Sequence, residues 1–95
     1  MTEVQQMRRA VEVVNRAGMH ARPASELVKL AATFTADIQL MKDSMSVNAK
    51  SIMGVLMLAA ECGSSLEIMA EGVDAVDAVD ALSDLIARGF DEMEV

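Results

Sequence analysis

His20 is the only histidine in the chain, and it stands in Gly18-Met19-His20-Ala21-Arg22-Pro23. A neutral imidazole is a nucleophile near neutral pH, because its unperturbed pKa is about 6.5. Arg22 is a permanent cation whose planar fork can grip a phosphate. Pro23 is tolerated in a first helical turn, where N–H groups lack intrahelical partners anyway, so a helix is predicted to open here with His20 at or beside the N-cap. That end of a helix presents free amide donors and a partial positive charge, a ready anion site. Imidazole, backbone donors and arginine are together the parts needed to accept a phosphoryl group and stabilise its charge as it arrives. Gly18 lets the preceding turn approach closely. The plainer alternative is that His20 only caps a helix and Arg22 is a surface charge, and a bare His-x-Arg-Pro taken alone favours it.

Other reactive side chains offer less. No second histidine or nearby carboxylate points to a metal, so no metal site is expected. No serine–histidine–acid set stands out from the spacing. Cys62 reads as a small buried hydrophobe or a bystander near a helix end. Ser51 is a good N-cap residue, worth about 1 kcal/mol in that role.

The segments around these residues alternate between strand and helix patterns. Arg9 to Asn15, with Val11, Val13 and Val14, reads as a strand leading to a turn at Asn15-Arg16-Ala17-Gly18. Ala24, Leu27, Val28, Ala31 and Phe34 then recur at helical spacing. Ala36 to Met41 alternates, Lys42-Asp43-Ser44 is a turn, and Met45, Val47 and Ala49 form the returning strand. Ser51 caps a short apolar helix expected to stop near Gly63. Leu66, Ile68 and Ala70 mark a fourth strand. The final helix carries Val76, Val79, Leu82 and Ile86 toward a core and Asp77, Asp80 and Asp84 toward water, with Arg88 pairing Asp84, Gly89 as C-terminal cap and Phe90 to Val95 as a short acidic tail. The order β-α-β-β-α-β-α suits an α+β domain: an antiparallel sheet with one wet face and one face covered by helices. No linker is visible, so residues 1–95 are read as a single domain.

Composition excludes several classes. Hydrophobic residues are 53% and charged residues 24%, enough to fold. The net charge of −7 opposes a nucleic-acid backbone, and with no Trp or Tyr and two Phe there is no stacking platform. Residues 1–50 carry seven basic and five acidic side chains, residues 51–95 one and ten, so the cations sit in the half that holds His20. The longest apolar run, Ile52 to Ala60, spans nine residues, where a membrane span needs about 20, so no membrane insertion is expected. The N-terminus lacks a signal-peptide pattern, and a lone cysteine forms no internal disulfide, so a cytoplasmic location is expected.

Gly18-Met19-His20-Ala21-Arg22-Pro23-Ala24 resembles the active-site signature of the HPr family, phosphocarriers of the phosphoenolpyruvate-dependent phosphotransferase system. Ser46-Val47-Asn48-Ala49-Lys50-Ser51-Ile52-Met53-Gly54-Val55-Leu56 resembles that family's regulatory-serine segment, and the two lie in register. Asn15 to His20 and Arg88 to Glu92 look most like the nitrogen-related NPr branch. The resemblance implies an open-faced β-sandwich, a four-stranded antiparallel sheet with three helices on one face. It implies a carrier rather than an enzyme, without cofactor. His20 would accept phosphate on Nδ1 from enzyme I and pass it to an enzyme IIA, with Arg22 pairing the phosphate and the Ala21 and Arg22 amides capping it. Ser51 would be a substrate of HPr kinase/phosphorylase. Ile52, Met53 and Leu56, joined by Met19, would form a partner-docking patch. A monomer is expected from size and transient partnering. Many family members carry a small polar residue three before the histidine, and this chain has Ala17. Two rivals are a regulatory module of the same fold that signals rather than relays, and a ferredoxin-like metal chaperone, for which Cys62 alone is too few soft ligands.

Overall fold

The computed structural model describes residues 4–92. Period-2 alternation places Ile38 and Leu40 of β2 (Asp37–Lys42) and Leu66, Ile68 and Ala70 of β4 (Ser65–Gly72) on one buried face, while the residues between them face outward. These two strands pair antiparallel, Ile38 opposite Ala70 and Leu40 opposite Ile68, and form the centre of the sheet. The edges are β1 (Gln5–Glu12), antiparallel to β4, and β3 (Met45–Asn48), which returns along β2. The strand order is β1-β4-β2-β3. With helices α1 (Ala21–Ala31), α2 (Ile52–Met57) and α3 (Ala75–Ala87), this is the expected α+β architecture of a four-stranded antiparallel sheet with three helices.

Alanines let the helices lie close to the sheet. Ala24, Leu27 and Ala31 of α1 and Ala75, Ala78, Val79, Leu82 and Ile86 of α3 join the inner residues of β2 and β4 in one buried cluster. Asp74, just before α3, accepts the backbone N–H groups of Thr35 (2.9 Å) and Ala36 (2.8 Å), tying the α1–β2 connection to the start of α3. The Thr35 bond above all holds its carboxyl below the ordinary value of 3.8. Arg9 reaches from β1 to Asp80 of α3 at 2.8 Å, and Arg88 pairs with Asp84.

Several elements differ from those expected. The first strand runs from Gln5 to Glu12 rather than Arg9 to Asn15, because its register is set by β4 and its outer positions, Gln6 and Arg8, are polar. Val13 lies beyond it yet is fully buried, exchanging backbone hydrogen bonds with Ser64 O (2.9 Å) and Gly63 N (2.7 Å). Helix α1 ends at Ala31, and Phe34 packs on the core from the following turn. Helix α2 ends at Met57, well before Gly63, because Ala59 takes a left-handed φ of 50°. Val76 is only half-buried, and Ala75 and Ala78 fill the core in its place. Of the expected acidic tail, Phe90 is 1% exposed, a core residue; residues 93–95 lie outside the described residues.

Candidate functional site

The turn before α1 can form only with glycine at position 18. Gly18 has φ +71°, and a Cβ there would sit 2.7 Å from Ala60 O. The close approach lets Met19 N–H donate to Ala60 O at 2.8 Å, locking the turn against the loop after α2. His20 follows as the N-cap of α1 in extended backbone (φ −84°, ψ −171°), and its side chain makes no capping hydrogen bond. The ring is therefore not spent on the helix. Its side chain is 41% exposed.

Ala24 N–H is the first amide taken up in the helix, bonding His20 O at 3.0 Å. Pro23 has no N–H, so the amides of Ala21 and Arg22 at the open end lack intrahelical partners. The Arg22 guanidinium lies beside the ring, bound through Nη1 to Glu26 at 2.8 Å and through Nη2 to Glu92. Imidazole, guanidinium and the helix start thus converge as the spacing of 18–23 predicts.

Sequence reading missed two members of this cluster. Glu92 stands 72 residues from His20, and its Oε2 lies 2.9 Å from His20 Nε2. Its other oxygen accepts from Asn15 Nδ2 at 2.8 Å, and the same amide donates to Gly18 O at 2.7 Å. Asn15 is 1% exposed. The Asn15 hydrogen bond first, then those from His20 and Arg22, hold the Glu92 carboxyl below its ordinary value of 4.5. Three successive left-handed residues deliver it: Gly89 (φ 65°), Phe90 (φ 58°) and Asp91 (φ 57°). For the two with a Cβ that conformation costs roughly 1–2 kcal/mol each, and the buried Phe90 ring holds it in place. Gly89 followed by a buried aromatic was the available signal that the chain turns back after α3. Ala17 is exposed, and the side-chain polar contacts around the histidine come from Asn15 and Glu92 instead.

The remaining expected residues are placed as follows. Ser51 is the N-cap of α2 and accepts Gly54 N–H at 3.1 Å. Ile52 (38% exposed) and Met53 (66%) form an apolar surface extended by Met57 (63%), while Leu56 is half-buried against the core. Met19 does not join them: at 4% exposure it belongs to the core, because the Gly18 turn folds it inward. Helices α1 and α2 pack against each other, so this patch and His20 belong to one helical layer. Among the described residues no three His, Cys, Asp or Glu side chains converge as a metal-ligand set, and no helix is long and apolar enough to cross a membrane.

Comparison with known proteins places this arrangement. A family model described as "PTS HPr component phosphorylation site" matches residues 7–88. The chain belongs to the HPr phosphocarrier family of the phosphotransferase system. It is 50% identical over 84 residues to the phosphocarrier protein HPr of Treponema pallidum, covering 88% of this chain and 96% of that protein. The crystal structure of HPr from Thermoanaerobacter tengcongensis superposes with a TM-score of 0.89 at 41% identity, covering 93% and 99% of the two chains. Bacillus subtilis Crh, a catabolite-repression protein whose crystal structure is a domain-swapped dimer, matches with a TM-score of 0.72 at 40% identity, covering 83% and 91%. These HPr-family matches do not distinguish the nitrogen-related branch.

Proposed function

We propose that His20 accepts a phosphoryl group from enzyme I and passes it to an enzyme IIA, in the cytoplasm and as a monomer. A bond from the imidazole nitrogen to phosphorus forms as the donor's bond to phosphorus breaks, and the second transfer reverses this on the acceptor. The observation that carries the reading is an exposed ring on the N-cap of α1 that makes no capping bond and stands beside a guanidinium. The free amides of Ala21 and Arg22 would cap the phosphate oxygens. Arg22 would turn from Glu92 or Glu26 to the arriving phosphate, and a side chain 51% exposed has room to do so. The test is to charge the protein with phosphoenolpyruvate and enzyme I, then offer it to isolated IIA domains. Label that cannot be passed to any IIA would defeat the relay. Arg22→Ala should stay folded, because its pair with Glu26 is exposed on both sides and Glu92 keeps Asn15 and His20 as partners. Its transfer rate should fall about a hundredfold, as for loss of one donor to a developing charge. A rate within twofold of wild type would remove Arg22 from the reaction.

Ile52, Met53 and Leu56 are proposed to dock the partners, with exposed Met57 beside them. Methionine suits a surface that must meet several partners and release each quickly. Ser51 is proposed as the substrate of an HPr kinase/phosphorylase. A phosphate there would add roughly −1.5 to −2 charge at a helix start, which need not unfold the helix but would confront any partner on this patch. Incubation with that kinase and ATP should place one phosphate on Ser51; modification elsewhere with Ser51 untouched would reject the assignment.

A further inference from the structure

We propose that Glu92 is a positioning residue for phosphoryl transfer: its carboxylate holds the proton on His20 Nε2 and leaves the Nδ1 lone pair free to meet phosphorus. This rests on His20 being the phosphoryl acceptor. A carboxylate only accepts hydrogen bonds, so the ring nitrogen 2.9 Å from Glu92 Oε2 must donate. In a neutral imidazole the second nitrogen then carries the lone pair. The carboxylate is itself fixed. Its other oxygen is held at 2.8 Å by the buried amide of Asn15, Arg22 binds the oxygen that faces the ring, and its side chain is only 14% exposed. The left-handed turn at Gly89–Asp91 and the buried Phe90 fix the backbone that carries it. Backbone strain maintained at such a turn is the kind that accumulates where a side chain must be aimed.

The step balances without proton movement. The Nδ1 lone pair forms the bond to phosphorus, the donor leaves with the electron pair of the bond that breaks, and the ring gains a positive charge. The Nε2 proton stays in place, and Glu92 lies directly against the new charge, as the carboxylate of a catalytic triad stabilises its imidazolium. On transfer to the acceptor the ring returns to the same neutral tautomer. Among the described residues, Glu92 is hydrogen-bonded to the ring, Arg22 to Glu92, and Glu26 to the far arm of Arg22. The low carboxyl pKa keeps Glu92 charged throughout the neutral range.

The test compares wild type with Glu92→Gln and Glu92→Ala in the full chain. Acceptance from enzyme I and phosphoenolpyruvate is measured alongside long-range proton–nitrogen NMR of the uncharged ring. Both variants should still label on His20, at rates lowered about tenfold, well short of the ~10⁴-fold loss from disabling a buried triad carboxylate, because water reaches this ring. Wild type should show the two separated nitrogen signals of a single Nε2–H tautomer, and both variants should draw those signals together. Rates within twofold of wild type, faster labelling (Glu92 then merely blocks the phosphate's place) or unchanged nitrogen signals would overturn the proposal. If wild type takes no label, it is the carrier reading that fails, and the nitrogen signals still decide whether Glu92 sets the tautomer.

Discussion

His20→Ala should take no label from phosphoenolpyruvate and enzyme I, while its melting temperature stays within a few degrees of wild type. The two halves of this result have separate physical causes. The ring is 41% exposed and gives the helix no capping bond, and without it the Glu92 carboxylate still has Asn15 and Arg22 as partners, so its loss costs the fold about 0.5 kcal/mol or less. The chemistry has no substitute, because no other imidazole exists in the chain. Residual label on His20→Ala would mean that another side chain accepts phosphate. A large drop in melting temperature would mean that the ring had been serving the helix after all.

Phe90→Ala should produce the largest loss of stability near the site, roughly 3–5 kcal/mol. Phe90 is the bulkiest of the fully buried side chains, at 1% exposure, although it lies beyond the last helix. For a domain of this size each kcal/mol is worth roughly 4–8 °C, so the melting temperature should fall by more than about 10 °C. Phe90→Leu, which keeps most of the volume, should cost under about 1.5 kcal/mol. Because the same turn carries Glu92, the alanine variant should also label more slowly where it remains folded. A shift of only a degree or two would show that residues 89–92 merely rest on the surface, and would detach Glu92 from His20.

These two residues mark where the sequence was legible and where it was not. Gly18, His20, Arg22 and Pro23 lie within six positions, so their convergence follows from local rules: a glycine-only turn, an N-cap and a first-turn proline. Ser51 likewise was readable as a cap, and it accepts Gly54 N–H as caps do. The inner row Leu66, Ile68 and Ala70 announced β4 by alternation alone. Strand order was not readable, since placing β4 between β1 and β2 depends on pairings such as Arg9 with Ile68, far apart in the chain. Glu92 was unreadable for the same reason. Nothing near it in sequence distinguishes it from its acidic neighbours, and only the burial of Phe90 and three left-handed residues bring it to Asn15 and His20. Met19 shows the converse failure: it adjoins the histidine in sequence, but the turn that exposes His20 buries it.

The most direct measurement is phosphorus NMR of the wild-type chain, nitrogen-15 labelled, after charging with phosphoenolpyruvate and enzyme I. The account predicts one phosphoramidate signal, coupled to Nδ1 of His20, that disappears when an accepting IIA domain is added. A stable phosphoester, a phosphate bonded to Nε2, or no protein-bound phosphorus under conditions that charge another HPr would contradict it.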